Sequence, residues 1–257
     1  MPYLEAAAPS QLLKSPELRM QLMNNLAKIG YAVTPSFLGP QELNAIRLQL
    51  REAMASSAPS WQPISRETRN FWWINDNNEM SNVKGAFLQV NFFPWDVASQ
   101  SLFDTFGDVL RVRNLLLGES ENAFFSPEEG DPITVRIAAQ FYPSNHGWMQ
   151  EHRDPEGPHQ TVLASLVLSS FGADYERGGL FSRPDGGEAN FPETELSPGD
   201  LIWFVPSMNH GVERIQDSRI SGFRGWSDTE HGRWMLLIAS NGLSPSADYA
   251  RAAPVAN

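Results

Sequence analysis

Three side chains in this 257-residue sequence have the types and spacing to hold one metal ion. Gln150-Glu-His152-Arg-Asp154 puts a His and an Asp two residues apart. On a strand, residues i and i+2 point to the same face, so both can approach a single ion. His210 follows 56 residues beyond Asp154, at the start of another expected strand. Two His and one carboxylate form a facial triad that leaves three octahedral positions open, as oxidation chemistry at iron requires. The chain has no cysteine. That excludes disulfides, thiolate metal sites and a cysteine nucleophile, and favours iron, manganese or zinc on N and O ligands. Taken alone, His-x-Asp is a weak signal that recurs by chance, and a lone His at a strand end is more often structural than a ligand. The surrounding elements have to decide.

Those elements change character along the chain. From Ser15 to Lys28, Leu18, Leu22 and Leu26 recur at helical spacing, and Gly30 ends the run. Tyr31 to Thr34 reads as a short strand, and Gly39-Pro40 precedes a second amphipathic helix over about 41–56. Residues 57–80 are irregular, 87–93 read as a strand, and 98–117 as a third helix. From Ile133 the pattern turns to eight short strands: 133–142, 147–152, 161–169, 179–183, 188–193, 200–205, 210–215 and 233–240. Gly, Pro, Asn and Asp punctuate them, as at Pro184-Asp-Gly-Gly and Pro198-Gly-Asp. So many short strands in roughly a hundred residues predict a two-sheet jelly roll. The expected class is mainly β with N-terminal helices, in one domain. Residues 1–130 supply helical support and lid segments, 131–243 the core, and 244–257 a loosely ordered tail.

In its second half the sequence resembles the 2-oxoglutarate and iron(II)-dependent dioxygenase superfamily, in particular its prolyl-hydroxylase-like and phytanoyl-CoA-hydroxylase-like members. The resemblance spans about residues 133–240 and rests on six elements in order. Phe141-Tyr142-Pro143 is similar to the Tyr-Pro turn before the family's His-x-Asp, which His152-Arg-Asp154 matches. Gly178-Gly179 resembles a turn opening a barrel strand, and Gly199-Asp200-Leu-Ile-Trp-Phe the strand before the distal His. Asn209-His210-Gly resembles the distal His motif, and Gly232-Arg233-Trp-Met-Leu-Leu the last strand.

The resemblance implies a double-stranded β-helix (jelly roll, cupin-like) and an iron(II) enzyme that consumes 2-oxoglutarate and O2, with ascorbate as an optional support. It implies His152, Asp154 and His210 as the iron ligands. Arg233 would pair with the far carboxylate of 2-oxoglutarate, since an Arg fork fixes position and charge together. Tyr142 would line the pocket and donate its hydroxyl, or serve only as a core aromatic. One departure stands out: the family places its Arg about nine to eleven residues after the distal His. Arg219 fits that spacing, whereas Arg233 lies 23 residues on but opens a strongly apolar strand. Arg233 is the preferred anchor, with 216–231 taken as an inserted loop or lid. An aspartate at 154 favours hydroxylation over halogenation, for which family halogenases carry a small residue. Desaturation, epoxidation and cyclisation stay open.

Other features carry less. Arg136, Gln140 and Tyr142 alternate and would share one face of the first barrel strand. His146, His159 and His231 lie near turns and read as surface or rim residues. Trp72, Trp73, Asn75 and Asn77 either cover the barrel or help to close the site. The net charge is −11 and the 19 Lys and Arg are scattered, which argues against nucleic-acid partners. No apolar run approaches the ~20 residues of a membrane span, and the N-terminus does not read as a signal peptide. The expectation is a cytoplasmic protein, monomer or homodimer, acting on a free small molecule such as an amino acid or biosynthetic intermediate. A protein side chain is the second substrate class. The rival functions are a cupin-type zinc or manganese enzyme without 2-oxoglutarate and a non-catalytic binding protein.

Overall fold

The computed structural model describes residues 3–78, 81, 83–128, 131–183, 187–243 and 253–254. Its helices are α1 (Pro9–Lys14), α2 (Pro16–Ile29), α3 (Pro40–Ala55) and α4 (Gln100–Leu116). The strands of the first half are β1 (Tyr31–Thr34), β2 (Phe71–Asp76) and β3 (Gly85–Phe92). Then come β4 (Ile133–Pro143), β5 (Trp148–Arg153), β6 (Leu163–Val167), β7 (Arg177–Arg183), β8 (Leu201–Phe204), β9 (Asn209–Gln216), β10 (Gly232–Gly242) and β11 (Ala253–Pro254).

Local chemistry sets the helix ends. The Ser15 hydroxyl accepts from the Leu18 N–H at the start of α2, and Pro16 fills the first turn, where no donor is needed. Gly30 then ends the helix in the left-handed region at φ +85°. In α3, Pro40 again leads, and the Glu42 carboxylate accepts from the Gly39 N–H at 3.1 Å.

The strands order as β1-β8-β6-β10-β4-β3-β5-β9-β7, with β2 beside β3 and β11 beside β5. The pairings are antiparallel. β3 meets β5 only at Gly85↔Met149 and Ala86↔Trp148, and the sheet curls over at this joint. Side chains from β4, β6, β8 and β10 therefore line the same cavity as those from β5, β7 and β9. This is the expected jelly roll.

Strand alternation separates core from cavity. In β10, Trp234, Leu236 and Ile238 enter the main core, while Arg233, Met235 and Leu237 face the cavity. β4 divides likewise into Ile137, Ala139 and Phe141 against Gln140 and Tyr142. β8 divides into Leu201 and Trp203 against Ile202 and Phe204. The helices cover the core side with Leu22, Leu26, Ile46, Leu50, Phe106 and Leu110, all buried. Each such side chain contributes roughly 1.5–3 kcal/mol of burial.

The structure departs from the expected elements in four places, one of them the two-residue strand β11 within the expected tail. α1 precedes the expected first helix, and the span 57–80 contains strand β2. The strand expected at 188–193 is absent. Asn190 makes a single bridge to Ser182, and the chain then turns through a short 3-10 helix, Pro192–Glu195. Pro192 has no N–H to give a ladder, so the strand cannot continue. The Pro184-Asp-Gly part of the expected turn and most of the expected tail (244–252 and 255–257) lie outside the described residues.

Candidate metal centre and its cavity

His152 and His210 are cross-strand partners on β5 and β9. Their burial is nearly complete, at 4% and 8% exposure. Each ring is fixed by its own chain: Nδ1 of His152 lies 2.9 Å from the Gln150 carbonyl, and Nδ1 of His210 lies 2.9 Å from the Met208 carbonyl. A carbonyl can only accept, so each Nδ1 carries a proton and each Nε2 is the nitrogen turned toward Asp154. Asp154 follows the end of β5, anchored by its N–H to the Pro206 carbonyl at 3.0 Å. Its two oxygens lie 3.6 Å from His152 Nε2 and 3.4 Å from His210 Nε2. One ligand atom from each residue falls within 4.8 Å of the others.

The electrostatics suit an ionised ligand. Burial alone would push the Asp154 pKa up, but the two imidazoles outweigh it and hold the carboxyl well below its usual range. These residues fit a divalent ion: two fixed imidazole nitrogens and one carboxylate oxygen converge within 4.8 Å, and an ion would displace any proton the nitrogens carry toward Asp154.

The triad opens into a small, partly open cavity. Leu180, Pro192, Ile202, Phe204, Met208 and Leu237 supply the apolar wall. Tyr142, Gln140, Ser165, Ser182 and Arg233 supply polar points. The Tyr142 hydroxyl donates to Gln140 Oε1 at 2.6 Å, and burial pushes its pKa up. Gln140 continues a buried amide chain through Gln89 and Asn91, with bonds of 3.0 and 2.8 Å. Arg136 reaches the far end of that chain at Asn91, 3.4 Å away, and does not line the cavity.

The two arginine candidates lie in different places. Arg233 is 1% exposed, lines the cavity and sits with its guanidinium carbon 5.2 Å from the centre of the Tyr142 ring. Its Nε and Nη2 bind Glu193, while Nη1 is buried with no hydrogen-bond partner. Arg219 is half-exposed, bound to Asp217 at 2.7 and 2.8 Å and to the Ala173 carbonyl at 2.9 Å. It does not line the cavity.

The loop between β9 and β10 is not a lid on this cavity, because no residue of 216–231 lines it. It folds onto the β4–β5 turn instead. Asn145 Nδ2 donates to the Asp217 and Ile220 carbonyls, each at 3.0 Å, and the His146 ring stacks on Phe223 with centroids 4.2 Å apart. His146, His159 and His231 face Asp76, Glu119 and Asp228, away from the triad. Trp72 and Trp73 cover the barrel: Trp72 joins the main core and Trp73 packs on Phe87 at 5.7 Å.

Glu193 is the site residue that sequence reasoning missed. It is 5% exposed and reaches in from the 3-10 turn. Its seat depends on Gly179, at φ +103°, where a Cβ would fall 2.6 Å from Glu193 Oε2. The Gly178-Gly179 pair was the available signal, since a glycine without room for a Cβ marks a close approach.

No sequence-family model and no curated protein sequence matches the chain. Solved structures do match. A Pseudomonas putida prolyl-4-hydroxylase aligns with a TM-score of 0.52 at 15% identity, over 87% of this chain and 98% of that one. A Trichoplax adhaerens prolyl hydroxylase, in complex with a hypoxia inducible factor oxygen degradation domain peptide fragment, gives 0.52 at 15%, over 90% and 92%. SnoN, a non-heme alpha-ketoglutarate-dependent epimerase from nogalamycin biosynthesis, gives 0.50 at 13%, over 95% and 97%. The chain thus folds as the structures of 2-oxoglutarate and iron(II) oxygenases do. At these identities it is the fold that is shared.

Proposed function

We propose that the protein is an iron(II)- and 2-oxoglutarate-dependent oxygenase that hydroxylates an unactivated C–H bond of a small molecule. The observation that carries this reading is one cavity holding both a converging His-Asp-His triad and a buried arginine with a free N–H. The fold is that of enzymes of this kind. A small, largely apolar cavity suits a small molecule better than a peptide strand.

In this reading His152, Asp154 and His210 hold the iron, with both imidazoles locked by the Gln150 and Met208 carbonyls. Bound there, the iron lets 2-oxoglutarate and O2 react to give succinate, CO2 and one oxygen atom for the substrate. Arg233 offers Nη1 to the far carboxylate of 2-oxoglutarate. Tyr142 holds its hydroxyl proton toward Gln140 and forms the wall beside Arg233. The apolar ring from Leu180 to Leu237 excludes water, which strengthens every polar contact inside. The test is succinate formation from 2-oxoglutarate in the iron-loaded protein, with a panel of amino acids and related metabolites as substrates. Succinate should rise with the right substrate and vanish in Asp154→Ala. No succinate with any of them, despite bound iron, would count against the reading.

One observation favours a second reading. Arg233 already holds a carboxylate, that of Glu193. In a metal enzyme that does not use 2-oxoglutarate this would be a structural ion pair, and the loaded protein would not bind the 2-oxo acid.

A further inference from the structure

The Arg233 fork is occupied from within. Nε donates to both Glu193 oxygens, at 2.9 and 2.7 Å, and Nη2 to Oε1 at 2.5 Å. Glu193 also accepts from the Tyr175 hydroxyl at 2.8 Å and from the Leu180 N–H at 3.0 Å. The carboxylate is therefore built in, and Gly179 keeps the room it needs. What remains for a ligand is Nη1, buried and without a partner, on a residue that lines the cavity.

An arginine can serve two carboxylates at once, one on its Nε/Nη2 edge and one on its Nη1/Nη2 edge. The charges then decide the outcome. With Glu193 in place, Arg233 is one half of a neutral pair. A second carboxylate approaching Nη1 meets the cation and the Glu193 anion together, and like charges in a buried site repel strongly. A 2-oxo acid that ends in an uncharged group meets no such repulsion. The wall near Arg233 also carries Leu180, Pro192, Met235 and Leu237, which would pack against an apolar chain.

We propose, on the oxygenase reading above, that Glu193 is a specificity-determining residue. By neutralising Arg233 it relaxes the demand for a second carboxylate, so the site accepts monocarboxylic 2-oxo acids as well as 2-oxoglutarate.

The test is calorimetric, so it needs no turnover. The full-length protein is loaded with Mn(II), and dissociation constants are measured for 2-oxoglutarate and for 2-oxobutyrate, which lacks the far carboxylate. In wild type the two constants should agree within about tenfold. In Glu193→Gln, 2-oxoglutarate should tighten and 2-oxobutyrate should not, moving the ratio by about tenfold toward 2-oxoglutarate. A wild-type preference for 2-oxoglutarate beyond that range overturns the proposal. So does an unchanged or reversed ratio in Glu193→Gln, which would make Glu193 a mere support for Arg233. The wild-type ratio decides the matter if the variant fails to fold. Binding of neither acid would instead sink the oxygenase reading itself, whereas strong selective binding of 2-oxoglutarate would leave that reading intact.

Discussion

Replacing Gly179 by Ala should cost far more than the same change at Gly172, although both glycines have positive φ. Gly179 sits at φ +103° and Gly172 at φ +83°. A left-handed backbone costs an alanine roughly 1–2 kcal/mol at either position. Around Gly172 a new Cβ meets no atom within 4 Å, so the backbone cost is the whole effect. At Gly179 the Cβ would lie 2.6 Å from Glu193 Oε2 and 3.0 Å from the Tyr175 hydroxyl. The carboxylate must withdraw, and Arg233 then loses its buried partner. Breaking a buried ion pair costs about 3–5 kcal/mol. The expected losses are therefore roughly 4–7 kcal/mol for Gly179→Ala and 1–2 for Gly172→Ala. For a chain of this size that corresponds to a fall in Tm of roughly 8–28 °C against about 2–8 °C. Urea and thermal unfolding followed by circular dichroism would measure both. Equal losses in the two variants would refute the idea that Gly179 exists to admit Glu193.

Three further outcomes are expected. Mn(II) at a hundred times its Kd should stabilise the wild type by about 2.7 kcal/mol in thermal unfolding. A chelator should reverse the gain, and Asp154→Ala should show none. Glu193→Gln should narrow its stability gap to wild type in acid, as unfolding across a pH series would show. Burial raises the Glu193 pKa, but Arg233 and its other donors outweigh this and hold it below its ordinary 4.5. The pair's contribution is thus full above that ordinary value and disappears as pH falls through the lower folded one. A gap independent of pH would contradict this. Arg219→Ala should leave 2-oxoglutarate affinity in calorimetry unchanged, because its guanidinium serves Asp217 and Ala173 outside the cavity. Weakened binding would reopen its candidacy as the anchor.

The barrel was legible where one physical signal dominated. A continuous apolar run marked β10 and β8, because one face meets the core and the other a largely apolar cavity, with Trp234 and Arg233 on opposite sides. The triad was legible because two of its members share a strand-like spacing. β2 was hidden because Phe71-Trp-Trp-Ile carries apolar residues on both faces and lies among Asn and Asp, so no period shows. The segment 188–193 looked like a strand by its place between turns, and Pro192 decided otherwise. Glu193 could not be picked out from Glu188 or Glu195 by type. Only its contacts with Arg233, Tyr175 and Leu180, all distant in sequence, make it part of the site. Which of Arg219 and Arg233 lines the cavity likewise shows only in three dimensions, since spacing pointed to one and strand character to the other.

The measurement that tests the central claim most directly is an anaerobic titration of the iron(II)-loaded protein with 2-oxoglutarate, followed by visible absorption. A weak charge-transfer band that saturates with 2-oxoglutarate and is lost in His152→Ala is the expected result, since it requires the 2-oxo acid to chelate iron held by the triad. Absence of any band while iron stays bound would contradict the account and leave a metal enzyme in which Arg233 and Glu193 serve only each other.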